Sequence, residues 1–363
     1  MAERTDIAVR YLHVTSSEEA IDALKGVEAD PHRIDDLLPK MIHLNIMVEG
    51  VDPGAADIVR KVMLSVGGDA AVSRGTTGRR TGGTDLILMG TLKQLRGFAE
   101  KSDPQACGLR VIAGQVDGML NKLFLDSVSL RTSRRTLHIG ERTLVMGILN
   151  VTPDSFSDGG RFTAPEMAVE AGIRMVEEGA DIIDIGGEST RPGSDPVSHE
   201  EELRRVIPVI RGLAKRIDIP LSIDTMKAGV AREAVAEGAE IVNDISSMGH
   251  DDGMGKVISE GGAAVILMHM RGTPKTMQAG DLTYRSLRGE VIAFLRERIE
   301  DARVQGIEPE RIMVDPGLGF GKTAIDNVRL IKHLGELKVL GRPIVTGPSR
   351  KSSLPGCSRQ CCR

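Results

Sequence analysis

Tryptophan is absent from this chain of 363 residues, which carries only two tyrosines and six phenylalanines. Three of those phenylalanines, Phe156, Phe162 and Phe320, fall in or beside glycine-rich loops rather than in apolar runs. A general basic field is also missing. Lys and Arg number 47 against 51 Asp and Glu, a net charge of −4, with an isoelectric point near 6.1. That balance argues against nucleic acid or an anionic membrane as the main partner. No segment approaches the ~18 apolar residues of a membrane-spanning helix, and the opening Met1-Ala-Glu-Arg-Thr-Asp6 carries acids but no secretory apolar run. A cytoplasmic location is expected. Cysteines are few, and Cys107, Cys357, Cys361 and Cys362 form neither a paired framework nor zinc spacing with nearby histidines. Reduced thiols are expected.

A chain this long, 40% hydrophobic, buries more core than one compact domain needs. Residues 1–130 alternate helix-like and strand-like pieces and read as a smaller α/β domain of unknown role. Within them, Ser73–Gly83 reads as a flexible, locally basic loop. Arg131–Thr136 breaks the periodicity and reads as a linker, with Leu137–Arg142 as a short hairpin. Beyond it a β-loop-α unit repeats. Apolar runs recur at Leu144–Leu149, Asp181–Ile185, Leu221–Ile223, Glu240–Val242, Ala263–Met268, Ile312–Val314 and Pro343–Val345. The first reads as a buried parallel strand. Glu177-Glu-Gly-Ala-Asp181, Ala236-Glu-Gly-Ala-Glu240 and Ser259-Glu-Gly-Gly-Ala263 repeat one helix-to-strand stop, in which glycine takes a left-handed position. Polar clusters follow nearly every strand, which predicts a parallel (β/α) barrel rather than an open sheet with one crevice.

In a barrel those clusters meet on one face, where chemistry is placed. The first strand runs into Asn150-Val-Thr-Pro-Asp-Ser-Phe-Ser-Asp-Gly-Gly160, and the second into Gly186-Gly-Glu-Ser-Thr-Arg-Pro-Gly193. Asp224, Asn243 and Asp315 end three further strands. Two carboxylates and an amide aimed into one pocket suit a planar heterocycle that presents N–H donors beside carbonyl acceptors. Gly317-Leu-Gly-Phe-Gly-Lys-Thr323 is one residue short of a nucleotide-binding P-loop and follows Asp315-Pro316, so a phosphate-cradling role is not expected.

These motifs, with Ser222-Ile-Asp-Thr225, Val242-Asn-Asp-Ile-Ser246, Leu267-Met-His-Met270 and Ser349-Arg-Lys351, resemble the ordered motif set of the dihydropteroate synthases across residues 137–352. The resemblance implies a (β/α)8-type TIM barrel and condensation of a dihydropterin pyrophosphate with p-aminobenzoate, giving dihydropteroate and pyrophosphate in folate biosynthesis. It implies that Asp224, Asn243, Met268, Asp315, Phe320 and Lys351 bind the pterin, and Thr190 and Arg191 the pyrophosphate. Phe156, Pro192 and Ser352 would frame p-aminobenzoate, the position that sulfonamides would occupy. Asn150 would contact Mg2+, the first two loops would close as a lid, and the chain would pair as a homodimer through barrel helices.

The end of the chain departs from that pattern. Ser353–Arg363 lacks helical or strand periodicity and holds three of the four cysteines where an eighth strand and its flanking helices are expected. Read as a barrel lacking its eighth strand and last helices, the chain is expected to have reduced synthase activity. The alternatives are an inactive relative that at most binds pterin, and a pterin-dependent methyltransferase, which lacks a match to the Asn150–Gly160 loop and Ser349-Arg-Lys351.

Overall fold

A computed structural model of the chain describes residues 8–72, 83–101, 107–125, 127–152, 164–189, 195–277 and 280–348. They fall into two compact units, Met1–Phe124 and Leu125–Arg363. The first contains α1 (Ser17–Gly26), α2 (Ile34–Met41), β1 (His43–Val51), α3 (Pro53–Ser65), β2 (Asp69–Val72), β3 (Thr84–Thr91), α4 (Leu92–Glu100) and α5 (Cys107–Leu123). Its strands form an antiparallel sheet in the order β1-β3-β2. Alternation along β3 buries Leu86 and Leu88 against Val59 and Met63 of α3 and Leu92, Leu95 and Phe98 of α4. Thr91 and Gln94 close a capping box that starts α4 directly at the end of β3. Residues Leu109, Ile112, Ala113, Val116 and Leu120 recur at helical spacing and are the buried stripe of α5.

The second unit begins with β4 (Val128–Arg131) and β5 (Thr136–Ile139), followed by β6 (Met146–Asn150), α6 (Ala164–Glu177), β7 (Ile182–Gly186), α7 (His199–Leu213) and β8 (Leu221–Asp224). It continues through α8 (Ala228–Glu237), β9 (Ile241–Asp244), α9 (Met254–Gly261), β10 (Ala264–Met268), α10 (Leu287–Val304), β11 (Ile312–Asp315) and α11 (Ala324–Lys332). Strands β6 to β11 form one parallel sheet in chain order, the (β/α) architecture of a TIM barrel. Ile344 adds a parallel bridge to Val314, which seats the Pro343–Val345 run beside β11. Helices and strands join through the expected glycine stops, with φ of 103° at Gly179, 124° at Gly238 and 62° at Gly262. One face of the sheet packs Leu149, Ile183, Ile185, Ile223, Val242, Val265 and Leu267 against the helices. The opposite face carries Ile182, Ile241, Ala264, Ile266 and Met313, capped at the strands' N-terminal ends by Leu130, Leu137 and Ile139 of the hairpin β4–β5.

That hairpin corrects two readings of the sequence. Residues 131–136 are not a linker, and the hairpin does not begin at Leu137. Its strands start at Val128, and the polar run forms its turn, because the Thr132 hydroxyl accepts the amides of Arg134 (3.2 Å) and Arg135 (3.0 Å). A polar run of this composition reads equally as a tether or as a turn. Buried Glu240 then locks the turn, accepting from the Thr132 hydroxyl at 2.6 Å and pairing with Arg135 at 2.9 Å. The first barrel strand also differs from expectation. Leu149 is buried, but β6 is the outer member of the six-stranded sheet, and Ile148 is 56% exposed. Nearly all of the basic loop expected in the first unit, residues 73–82, lies outside the described residues, as does the tail 353–363.

Candidate active site

Strand register decides which side chains meet. Across the parallel ladder, Asn150 is level with Gly186, Gly186 with Asp224, and Asp224 with Asn243. On the far side Met268 is level with Asp315. All lie at the C-terminal ends of their strands. Gly186 stands between two of these side chains: a Cβ placed there would meet Asp224 Oδ2 at 3.5 Å and Asn150 Oδ1 at 3.7 Å, both ordinary contact distances.

Below the row lies Asp184, which the sequence reading passed over as part of an apolar run. It is 4% exposed. The Asn243 amide donates to its Oδ2 at 2.9 Å. Burial pushes the Asp184 carboxyl above the usual range, partly offset by Ser222 and Asn243. Asp224 is raised further, first by burial and then by the negative charges of Asp184, Glu202, Asp244 and Glu188. A ligand edge bearing N–H donors relieves both penalties, whereas an acceptor edge adds to them. The sequence signal for Asp184 was a charged residue at an inward position of an otherwise apolar strand, two residues before Gly186.

The loop after β7 is anchored by Lys227, whose ammonium contacts Glu188 and, at 2.5 Å, fully buried Glu202. Burial works against that charge, but the two carboxylates outweigh it and hold the ammonium above its ordinary pKa. Opposite, Met268 and Phe320 are buried with Ile245 and Met277, and Met226 and Met270 pack against them. Polarizable thioethers and a phenyl face make an adaptable wall for a flat ring. A cavity of about 490 Å³ adjoins this wall and is lined by Met226, Ile245, Met268, Met270 and Phe294 among others. Asp315 is held by the Gly317 amide, which donates to its Oδ1 at 2.7 Å.

The structure thus brings together Asn150, Asp224 and Asn243 in one row and Met268, Asp315 and Phe320 in the facing strand ends and wall. Phe156, Thr190, Arg191, Pro192, Lys351 and Ser352 lie outside the described residues. Among the described residues, no group of three or more His, Cys, Asp or Glu side chains is placed to hold a metal ion. Nor is any helix of the described residues long and apolar enough to cross a membrane.

Residues 146–360, more than half the chain, match the family model of pterin binding enzymes. The chain belongs to the pterin-binding enzyme family. Within it, the dihydropteroate synthase of Synechocystis is 52% identical over 214 residues, covering 59% of this chain and 73% of that protein. A probable bifunctional folylpolyglutamate synthase/dihydropteroate synthase of Halobacterium salinarum is 39% identical over 349 residues, 95% of this chain. The chain spans 41% of that relative's length, and the match takes in the first unit as well as the barrel. Among solved structures, the Xanthomonas albilineans dihydropteroate synthase with 4-aminobenzoic acid superposes with a TM-score of 0.58 at 49% identity, covering 62% of this chain and 80% of that one. Pterin-binding enzymes therefore account for the barrel and its motif-bearing loops.

Proposed function

We infer that the chain is a dihydropteroate synthase, joining 6-hydroxymethyl-7,8-dihydropterin pyrophosphate to p-aminobenzoate with release of pyrophosphate. The observation that carries the reading is the convergence of Asp224, Asn243 and Asp315 beside the Met268–Phe320 wall. Two carboxylates and an amide carbonyl accept the N–H groups of a pterin edge, and the wall takes its face. Because one N–H of the Asn243 amide goes to Asp184 and fixes its flip, its carbonyl is the acceptor offered to the ligand.

The reaction needs no protein nucleophile. The C–O bond to pyrophosphate breaks with its electron pair leaving on the phosphate, and the positive charge left on the methylene spreads into the pterin ring. Once ionised against the ring's N–H groups, Asp224 and Asp315 would favour that cation. The arylamine nitrogen then forms the C–N bond and releases a proton. Excluding water until the amine arrives falls to the loops after β6 and β7, the second of which is stemmed by the Lys227–Glu188–Glu202 cluster. Phe156, Thr190, Arg191, Pro192, Lys351 and Ser352 are proposed for the pyrophosphate, p-aminobenzoate and pterin contacts that the family resemblance gives them.

Asn150 supplies one amide oxygen at the end of β6, and a lone neutral protein ligand suits Mg2+, which keeps waters and takes its remaining ligands from substrate phosphates. When bound, Mg2+ would neutralise charge on the leaving pyrophosphate. A turnover assay with both substrates, following dihydropteroate, tests the reading: formation dependent on both substrates and lost in a D224A/D315A double variant is expected. No product from well-folded protein would overturn it.

A further inference from the structure

We propose that the ammonium group of Lys322 is a built-in structural cation that positions Asp315 and Phe320 for the pterin ring, a role that rests on the pterin-binding reading above. Lys322 is the lysine of the near-P-loop sequence Gly317–Thr323, and in the structure it is 1% exposed. Its Nζ lies 2.8 Å from His269 Nδ1, 2.9 Å from the Gly317 carbonyl, 3.1 Å from the Phe320 carbonyl and 3.2 Å from the His269 carbonyl. Three of those four acceptors are main-chain oxygens. A ring of carbonyls around a positive charge is how proteins hold a monovalent ion, and an ammonium has three protons to share among them.

Each contact bears on the pocket. Gly317 receives the lysine at its carbonyl while its amide holds Asp315 Oδ1, so the same peptide segment links the cation to the pterin carboxylate. Phe320 is fixed through its own carbonyl. His269 ties the loop back to β10, its amide donating to the Asp315 carbonyl at 2.9 Å. The two loops approach so closely that a Cβ at Gly317 would stand 2.0 Å from the His269 carbonyl, and Gly317 takes a φ of +67° that favours glycine. Burial, followed by the positive charge of Lys322, pushes the His269 imidazole down to about 3, so the ring is neutral and its Nδ1 is free to accept. Phe294 packs edge-on against that ring at 5.0 Å, and the Tyr284 hydroxyl donates to the Gly321 carbonyl at 2.8 Å, closing the surround. With its ammonium spent on its own loop, Lys322 has no reach to a phosphate.

Deleting the side chain leaves three carbonyls aimed at a void that an ammonium ion fits. Pterin binding to K322A is measured by calorimetry in ammonium chloride and in tetramethylammonium chloride at equal ionic strength. The expected result in tetramethylammonium is roughly tenfold weaker binding than the parent, the scale of one lost charge-assisted hydrogen bond. Ammonium should restore most of the loss and raise the melting temperature of K322A, while leaving the parent unchanged. Parent-like affinity in tetramethylammonium, or a loss that ammonium leaves untouched, overturns the proposal. A parent that binds no pterin refutes the functional reading instead, and the melting-temperature comparison still decides whether the cage takes a cation. If K322A does not fold, H269Q, which keeps an acceptor, is compared with H269L: near-parent binding for the first and weakened binding for the second is expected. Equal behaviour of the two overturns the role assigned to the cage.

Discussion

The side-chain amide of Asn243 donates to the buried carboxylate of Asp184 at 2.9 Å, and this contact fixes which end of the amide points to Asp184. An amide offers a donor or an acceptor depending on its flip. Asp184 takes one of the two N–H donors and fixes the flip, so under the pterin-binding reading the Asn243 carbonyl joins the carboxylates of Asp224 and Asp315 as an acceptor.

Replacing Asp184 tests that statement. D184L removes the partner and lets Asn243 turn, placing an NH2 against the N–H edge of the ligand. Pterin affinity should fall by about 1–3 kcal/mol, the cost of a mismatched buried hydrogen bond. Calorimetry on D184L and on the double variant D184L/N243A separates orientation from simple packing loss. If N243A in the D184L background costs as much again as in the parent, Asp184 does not act through Asn243.

Asp224 predicts a pH dependence. Burial and neighbouring charges raise its carboxyl in the empty site, while N–H donors from the ligand favour its ionised form. Binding therefore releases a proton, and affinity should rise with pH until the raised pKa of the empty site is passed and then level off. D224N should bind several-fold more weakly and lose that slope. Titrations across pH 5 to 8, a range that matches ordinary protein handling, read both features, and a flat profile for the parent would sink the prediction.

Stability is held at the opposite end. Glu240, 2% exposed, joins Thr132 and Arg135 of the hairpin turn to the start of β9. E240A removes the buried carboxylate shared by the Thr132 hydroxyl and the Arg135 guanidinium, which keep the Arg135 and Asp218 carbonyls as partners, and should cost about 1–3 kcal/mol in denaturant unfolding. Pterin affinity measured under folding conditions should stay within a factor of two of the parent, since strand N-termini carry stability rather than chemistry.

Lys227 should matter for the loops and not for the pterin. K227M leaves Glu202 buried without its cation, which should loosen the stem of the loop after β7. Weaker p-aminobenzoate or sulfonamide binding in the presence of pyrophosphate and Mg2+, with pterin affinity unchanged, is the expected split. A loss confined to pterin would contradict it.

Most of the barrel was legible because its two signals are strong and local. Short apolar runs ended in polar clusters, and glycine stops preceded several of the strands; every one of the first six runs is a strand of the sheet. The position of Asp224 and Asp315 at strand ends was legible for the same reason. What escaped depends on distance in sequence. Asp184 looks like a blemish in an apolar run until Asn243, 59 residues on, is folded over it. Lys322 is set aside with its near-P-loop sequence, and its role shows only when His269 arrives from the end of β10. The turn at 132–135 looked like a linker because its anchor, Glu240, is over a hundred residues away.

The row Asn150, Gly186, Asp224 and Asn243 has one more consequence. Its members stand on hydrogen-bonded neighbours in a single ladder, and adjacent strands keep a separation of about 4.8 Å. The backbone is therefore the ruler against which a ligand is measured, and side-chain repacking cannot stretch it. Selectivity at this end of the barrel evolves by exchanging what hangs from each mark of the ruler, or by remodelling the loops above it. A flat ring read by this row would meet its donors and acceptors at that spacing, so exchanging one side chain would change the pattern the row accepts and leave its span unaltered.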